Sequence, residues 1–260
     1  MAIVSGSARR EGEGVDLPDA DALVEEQIAY YRARAPEYDD WWLRTGRYEP
    51  DDDFGRRWDT GKRQLHDALI EFAPRGTVLE LAAGTGNLTS QLADIDTVEH
   101  ITAVDASEEA ISIARTKVAD NRVSFEMADI FTWRPPSRFD TVVFGFWLSH
   151  VPPGRFASFW ELLSDALVPG GRVFFTDNAV AVEEAAASGG RQVTTPWSKT
   201  WPDSSVSLRT LADGRRYHIV KRGWSASELE QELATVHWSA EVRTFQDLFI
   251  AGTAIPQPDR

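Results

Sequence analysis

The chain has 260 residues, 42% hydrophobic and 26% charged, which supplies ample apolar material for a core. Its 27 basic against 41 acidic residues give a net charge of -14, which disfavours a general nucleic-acid binder, since such a protein needs a basic footprint. The absence of cysteine removes disulfides, thiolate zinc sites, cysteine-held iron–sulfur clusters and cysteine nucleophiles.

In chain order, residues 1–20 are rich in Gly, Ser and charge and read as a disordered tail without the apolar run of a signal peptide. Residues 21–60 carry Tyr30, Tyr31, Tyr38, Trp41, Trp42, Tyr48, Phe54 and Trp58 among many charges. That pattern predicts one or two amphipathic helices with a loop at Glu49 to Asp53. The remainder, 61–260, reads as one α/β domain. Strands are predicted at Thr77–Ala82, Ile101–Val104, Val123–Met127, Thr141–Phe146 and Arg172–Thr176. Between them, Ser107 is placed to cap a helix with an apolar stripe at Ile111, Ala114 and Val118, and Phe156 to Leu167 forms another, ended by Pro169-Gly170-Gly171. An insertion after strand five spans about 178–214. Arg215 to Arg222 alternates like a strand, Ser225 and Glu228 form a capping box with Trp224 and Leu229 as its staple, and residues 242–254 read as one last, longer strand. Strands that alternate with helices imply a mostly parallel sheet covered on both faces. The longest strongly apolar run, Val142 to Leu148, is far short of the ~20 residues of a membrane span, so a cytoplasmic protein is expected.

The informative run is Val78-Leu79-Glu80-Leu81-Ala82-Ala83-Gly84-Thr85-Gly86, between a strand and a helix. Gly84 and Gly86 let the backbone approach a ligand closely. Asp105 follows Gly86 by nineteen residues and ends the next strand, where a carboxylate accepts from ribose hydroxyls. Asp129, after the third strand, is placed to accept from an adenine amine. A dinucleotide would want a third glycine, and Glu80 would repel its pyrophosphate. S-Adenosylmethionine has no phosphate and tolerates acidic surroundings, so the residues favour it over a nicotinamide cofactor.

At this point the sequence resembles the class I S-adenosylmethionine-dependent methyltransferases. The matching segments are VLELAAGTG, AVDASEEAI, MADI, FDTVVFGF and LVPGGRVFF, in the family's order, from about Val78 to Phe175. Ala82 stands where the family's first motif glycine is common. The run Tyr30 to Asp39 looks like the lid helix of small-molecule members such as the ubiquinone and menaquinone methyltransferases. The resemblance implies a Rossmann-like, mostly parallel seven-stranded sheet with helices on both faces, an N-terminal helical lid and an insertion after strand five. It also implies cofactor contacts from Tyr31, Tyr38, Glu80, Ala82, Gly84, Gly86, Asp105, Ala106, Asp129, Ile130 and Phe146.

His150 lies just past strand four, at the sheet edge where ligands sit, and its ordinary pKa suits a base near neutrality. It is the candidate catalytic residue. The other four histidines show no ligand spacing, so no metal site is expected. The stretch Asn178 to Arg222 holds seven bases (Arg191, Lys199, Arg209, Arg215, Arg216, Lys221, Arg222) against four acids. A local +3 in an acidic chain suggests an anionic acceptor, with Trp197 and Trp201 packed on its apolar part. The expectation is methyl transfer to a small molecule, at oxygen, nitrogen or carbon, by a monomer or homodimer that binds neither nucleic acid nor membrane. The alternatives are a nicotinamide-dependent oxidoreductase, a protein or peptide methyltransferase, and a non-catalytic cofactor binder.

Overall fold

A computed structural model describes residues 20–50, 52–179 and 206–258. Seven strands form one sheet: β1 (Gly76–Leu81), β2 (Val98–Asp105), β3 (Val123–Met127), β4 (Phe139–Gly145), β5 (Leu167–Asn178), β8 (Trp238–Phe245) and β9 (Phe249–Pro256). Their order is β3-β2-β1-β4-β5-β9-β8. The first five run parallel, and β9 is antiparallel to both β5 and β8. The chain winds outward from β1 to β3, then crosses back to β4. The reversal between β1 and β4 opens a crevice at their C-terminal ends, the position where open α/β sheets bind ligands.

Alternation along the central strands feeds two apolar layers. Leu79 and Leu81 of β1 and Val142 and Phe144 of β4 enter one layer, packed by α6 (Phe156–Ala166) and α7 (Ala226–Thr235). Val78 and Val143 enter the other, packed by α3 (Asp52–Phe72) and α4 (Asn87–Ala93). The α5 helix (Glu108–Lys117) is capped by Ser107, whose side chain accepts from the Ala110 N–H, and buries Ile111 and Ala114. The capping box of Ser225 and Glu228 forms, and Trp224 and Leu229 are both fully buried.

The N-terminal segment forms α1 (Ala20–Arg34) and α2 (Tyr38–Leu43), joined by a 3-10 turn at Ala35–Glu37. The α3 helix starts within the acidic run at 49–53 and continues past residue 60, with Trp58 buried in the core against Phe249. Of the expected tail, 1–20, residues 1–19 lie outside the described residues and Ala20 opens α1; 180–205 of the expected insertion also lies outside them.

Three elements differ from the sequence reading. The stretch 242–254, read as one strand, is split across the β8–β9 hairpin, which turns at Gln246 and Asp247, both at positive φ (56° and 55°). Neither residue is the glycine that normally announces such a turn. The α6 helix stops at Ala166, and Pro169-Gly170-Gly171 lies within β5 instead of ending the helix. The strand at Arg215–Arg222, β7 (Arg216–Val220), pairs with β6 (Val206–Thr210) in a separate two-stranded ribbon that packs on α1.

Candidate active site

The crevice at the ends of β1 and β4 is roofed by α1 and α2. One lobe, of about 780 Å³, is lined by the glycine loop, the ends of β2 and β3, the loop after β4, and the α1 face carrying Val24, Gln27, Ile28 and Tyr31. A second lobe, of about 670 Å³, reaches toward α3 and α4 and includes Glu80 and Lys62. The lobes share Tyr38, Ala82, Gly84, Thr85, Gly145 and Phe146.

Most of the residues singled out in the sequence meet here. Tyr31, Tyr38, Ala82, Gly84, Asp105, Ala106, Asp129, Ile130, Phe146 and His150 all line the larger lobe. Glu80 lines only the smaller one. Gly86 lines neither. Its φ is +83°, and an added Cβ would lie 3.0 Å from Ala114 of α5, so glycine is needed there for left-handed backbone and close helix packing.

The glycine loop is held by Asp105, which accepts from the N–H groups of Gly84 and Ser107, both at 2.8 Å. Burial still pushes the Asp105 carboxyl above its ordinary range, against those bonds. Glu80 is 1% exposed, its Oε2 has no hydrogen-bond partner, and burial raises its carboxyl to about 8. Ala82 and Phe146 end β1 and β4 at positive φ (53° and 56°), a conformation that costs a non-glycine residue energy and often marks a functional site. Asp129 turns the loop after β3 by accepting from the Phe131 N–H at 3.0 Å.

His150 is 4% exposed. Its Nδ1 lies 2.7 Å from the Val220 carbonyl and its Nε2 lies 2.7 Å from the Tyr31 hydroxyl. Burial, then the charge of Lys221, holds the imidazole well below its usual pKa. Burial likewise raises the Tyr31 phenol well above its ordinary value and the Tyr38 phenol to about 12. All three groups are therefore neutral near pH 7.

Several residues of this site went unnoticed in the sequence. Gln27, 2% exposed, donates from Nε2 to the His150 carbonyl (3.1 Å) and accepts the Val220 N–H at Oε1 (3.0 Å), tying α1 to β7 and to the His150 loop. The available signal was a polar residue at helical spacing among Val24, Ile28 and Tyr31. Asp39 accepts from Thr85 (2.6 Å), Asn87 (3.0 Å) and Lys117 (2.8 Å), pinning α2 to the glycine loop. Burial opposes its charge, yet these three bonds hold it below the usual carboxylate range.

The basic stretch divides. Arg215 is exposed and paired with Asp213, and Arg222 stands 3.9 Å from Glu232. Arg209 and Lys221 are buried, and Lys221 lies 2.8 Å from Ser149 Oγ and 3.7 Å from Asp177. Arg191, Lys199, Trp197 and Trp201 lie outside the described residues. Among the described residues no helix is long and apolar enough to cross a membrane, and no three His, Asp or Glu side chains gather to hold a metal.

The chain is similar to several known proteins. Residues 78–171 match a family described as "Methyltransferase domain". The structure of DhpI in complex with SAH is 33% identical, with 92% of this chain and 100% of that one covered and a TM-score of 0.74. Among curated relatives, trans-aconitate 2-methyltransferase of Sinorhizobium medicae is 31% identical over 119 residues, 44% of this chain and 43% of that protein. Demethylmenaquinone methyltransferase of Leptospira interrogans is 38% identical over 80 residues, 28% and 32% respectively. The chain thus spans under half the length of the curated relatives it matches.

Proposed function

The chain belongs to the class I S-adenosylmethionine-dependent methyltransferases, and on that premise we propose that it methylates a small-molecule acceptor carrying a carboxylate or phosphate. The nicotinamide alternative falls with this membership. The residues present fit the cofactor: Glu80 Oε2 is buried without a donor, and an added Cβ at Gly84 would meet nothing nearer than the Ala82 carbonyl at 3.9 Å. When bound, S-adenosylmethionine supplies a methyl group activated by a sulfonium. The protein's part is orientation and exclusion of water.

In this reading Asp105 takes the ribose hydroxyls while fixing Gly84, and Asp129 with Ile130 frames the adenine. Ala82, Gly84 and Gly86 shape the loop, Ala106 and Phe146 form walls, and Glu80 faces the cofactor's ammonium. Tyr31 and Tyr38 close over it from α1 and α2, which act as a lid. His150 Nε2, through the Tyr31 hydroxyl, receives the acceptor's proton when the methylated group carries one. We read the enzyme as cytoplasmic, acting as a monomer or homodimer.

What supports the acceptor's charge is the set of buried cations, Lys221, Arg209 and Arg34, whose charges act on the buried His150 at one end of the larger lobe. Positive charge around that end of the pocket favours an anionic guest, although none of the three side chains lines the lobe and Lys221 is itself 3.7 Å from Asp177. Trans-aconitate, named for one relative, is itself a carboxylate. The test compares KM for an anionic acceptor with KM for its neutral ester or amide, at low and high ionic strength. A lower KM for the anion, with the advantage shrinking as salt rises, supports the reading. Equal values at low salt overturn it.

A further inference from the structure

Gln27 sits on the α1 face that lines the larger lobe. Its side-chain amide is used at both ends, donating to the His150 carbonyl (3.1 Å) and accepting the Val220 N–H (3.0 Å). Val220 is in turn used at both ends, because its carbonyl lies 2.7 Å from Nδ1 of His150. Three residues therefore close a ring of hydrogen bonds, from Gln27 to Val220 to His150 and back to Gln27. Only one orientation of the amide fits, since a carbonyl needs a donor and an N–H needs an acceptor.

These bonds join the cover of the site to its floor. Helix α1 and the β6–β7 ribbon share apolar clusters of their own, Leu23 with Val206 and Val220, and Tyr30 with Leu211 and Ile219. Alternate N–H groups of β7 are taken by consecutive α1 side chains, that of His218 by Glu26 (2.7 Å) and that of Val220 by Gln27. The backbone before His150 is held from the sheet: Asp177 of β5 accepts from the Ser149 N–H (2.8 Å) and hydroxyl (2.9 Å). Lys221 and Arg222, just past β7, also bond Ser149 and leave the Val220 N–H to Gln27. Both nitrogens of the imidazole face the cover, Nδ1 toward Val220 and Nε2 toward the Tyr31 hydroxyl. The sheet thus places the His150 backbone, and the cover orients its ring.

A neutral imidazole has two tautomers, and the bond made by one nitrogen decides what the other presents. A bare Nε2 on the cavity side requires a hydrogen on Nδ1 and a fixed carbonyl to take it. Gln27 fixes that carbonyl by holding the N–H of the same residue. We propose that Gln27 is a positioning residue: it clamps Val220 against His150 and so keeps the imidazole in the Nδ1–H form, with Nε2 free to accept on the side of Tyr31 and the cavity. Its use in catalysis rests on the reading of His150 as the base. Without the amide, the buried Val220 N–H and the His150 carbonyl both lose a partner, and the Val220 carbonyl is released from the geometry that selects the tautomer.

The experiment records nitrogen NMR spectra of the imidazoles in the isotope-labelled full chain, saturated with S-adenosylhomocysteine at pH 7, with His150→Ala used to identify the His150 signals. It compares the wild type, Gln27→Met and Gln27→Glu. Gln27→Met keeps the length of the side chain and removes both hydrogen bonds; Gln27→Glu keeps an acceptor for the Val220 N–H. The expected result is a single Nδ1–H tautomer in the wild type and in Gln27→Glu, and a mixture of both tautomers in Gln27→Met. An Nε2–H or mixed ring in the wild type overturns the proposal, as does a ring left unchanged by Gln27→Met. A mixed ring in Gln27→Glu as well assigns the effect to packing and also overturns it. If Gln27→Met fails to fold, Gln27→Glu decides alone: a single Nδ1–H tautomer supports the clamp and a mixed ring overturns it. Turnover unimpaired in His150→Ala overturns the reading of His150 as the base, and the tautomer result is independent of it.

Discussion

The Tyr31 hydroxyl lies 2.7 Å from Nε2 of His150, whose other ring nitrogen lies 2.7 Å from the Val220 carbonyl. A carbonyl can only accept, so Nδ1 carries the hydrogen and Nε2 receives the phenol's proton bond. The pair joins α1 to the loop after β4, and it places a neutral base and its phenol partner together on the wall of the larger lobe.

The first prediction concerns this pair. His150→Ala should lower kcat by roughly 10²–10⁴-fold, the range typical of general bases, with affinity for S-adenosylhomocysteine little changed. Tyr31→Phe should lower kcat as well. Turnover unimpaired in both variants would leave the pair a packing feature. Because burial and Lys221 depress the imidazole, kcat should show no acid limb near the ordinary histidine value; the limb belongs at lower pH. The stability sign follows. With the folded value below the unfolded ~6.5, this contribution is present above that pH and is lost as pH falls below it. Thermal melts of the wild type and His150→Ala between pH 5 and 7 should therefore diverge from their pH 7 difference as acid is added.

Glu80 gives the opposite slope. Its carboxyl is raised to about 8 by burial, above the unfolded value of ~4.3. The contribution is fully present below the unfolded value and is lost as pH rises through the folded one. Glu80→Gln should therefore melt higher than the wild type at pH 8 in the ligand-free state, with the gap closing toward pH 5. In the wild type, a cofactor ammonium next to the carboxyl should release a proton near pH 7. Calorimetric enthalpies that do not depend on the buffer would contradict that release.

Asp39 links α2 to the glycine loop and to Lys117 of α5. If α1 and α2 close over the ligand, hydrogen exchange at 20–43 should slow when S-adenosylhomocysteine binds. Asp39→Ala should lose most of that added protection. Identical exchange with and without ligand in the wild type would remove the lid from the account.

Ala82 supplies a stability prediction. It sits at φ 53°, where an L-residue pays a cost that glycine does not. Ala82→Gly should raise stability by about 1 kcal/mol in urea unfolding. A destabilised variant would mean that the methyl contributes packing that outweighs the backbone strain.

Much of this architecture was legible because short apolar strands alternate with helices and their ends carry punctuation. Val78 to Leu81, the loop to Gly86, and Asp105 announced the crevice, and the caps at Ser107 and Ser225 fell where expected. The misses have physical causes. Gln246 and Asp247 make a hairpin turn without glycine, so the hairpin read as one strand. Pro169-Gly170-Gly171 is accommodated inside β5, just past the end of α6. Gly86 looked like a ligand contact, and its closeness to Ala114 depends on a packing no local pattern reveals. Gln27 and Asp39 act across 46 to 193 residues of chain, through partners that only the fold brings near.

The most direct test is calorimetric titration of S-adenosylhomocysteine and of NAD into the wild type and Asp105→Ala. The account predicts that S-adenosylhomocysteine binds the wild type and that NAD does not. It also predicts that Asp105→Ala binds weaker by about 1.5–3 kcal/mol, the loss of a charge-assisted hydrogen bond. No binding of S-adenosylhomocysteine to the wild type, or unchanged affinity in Asp105→Ala, would contradict it.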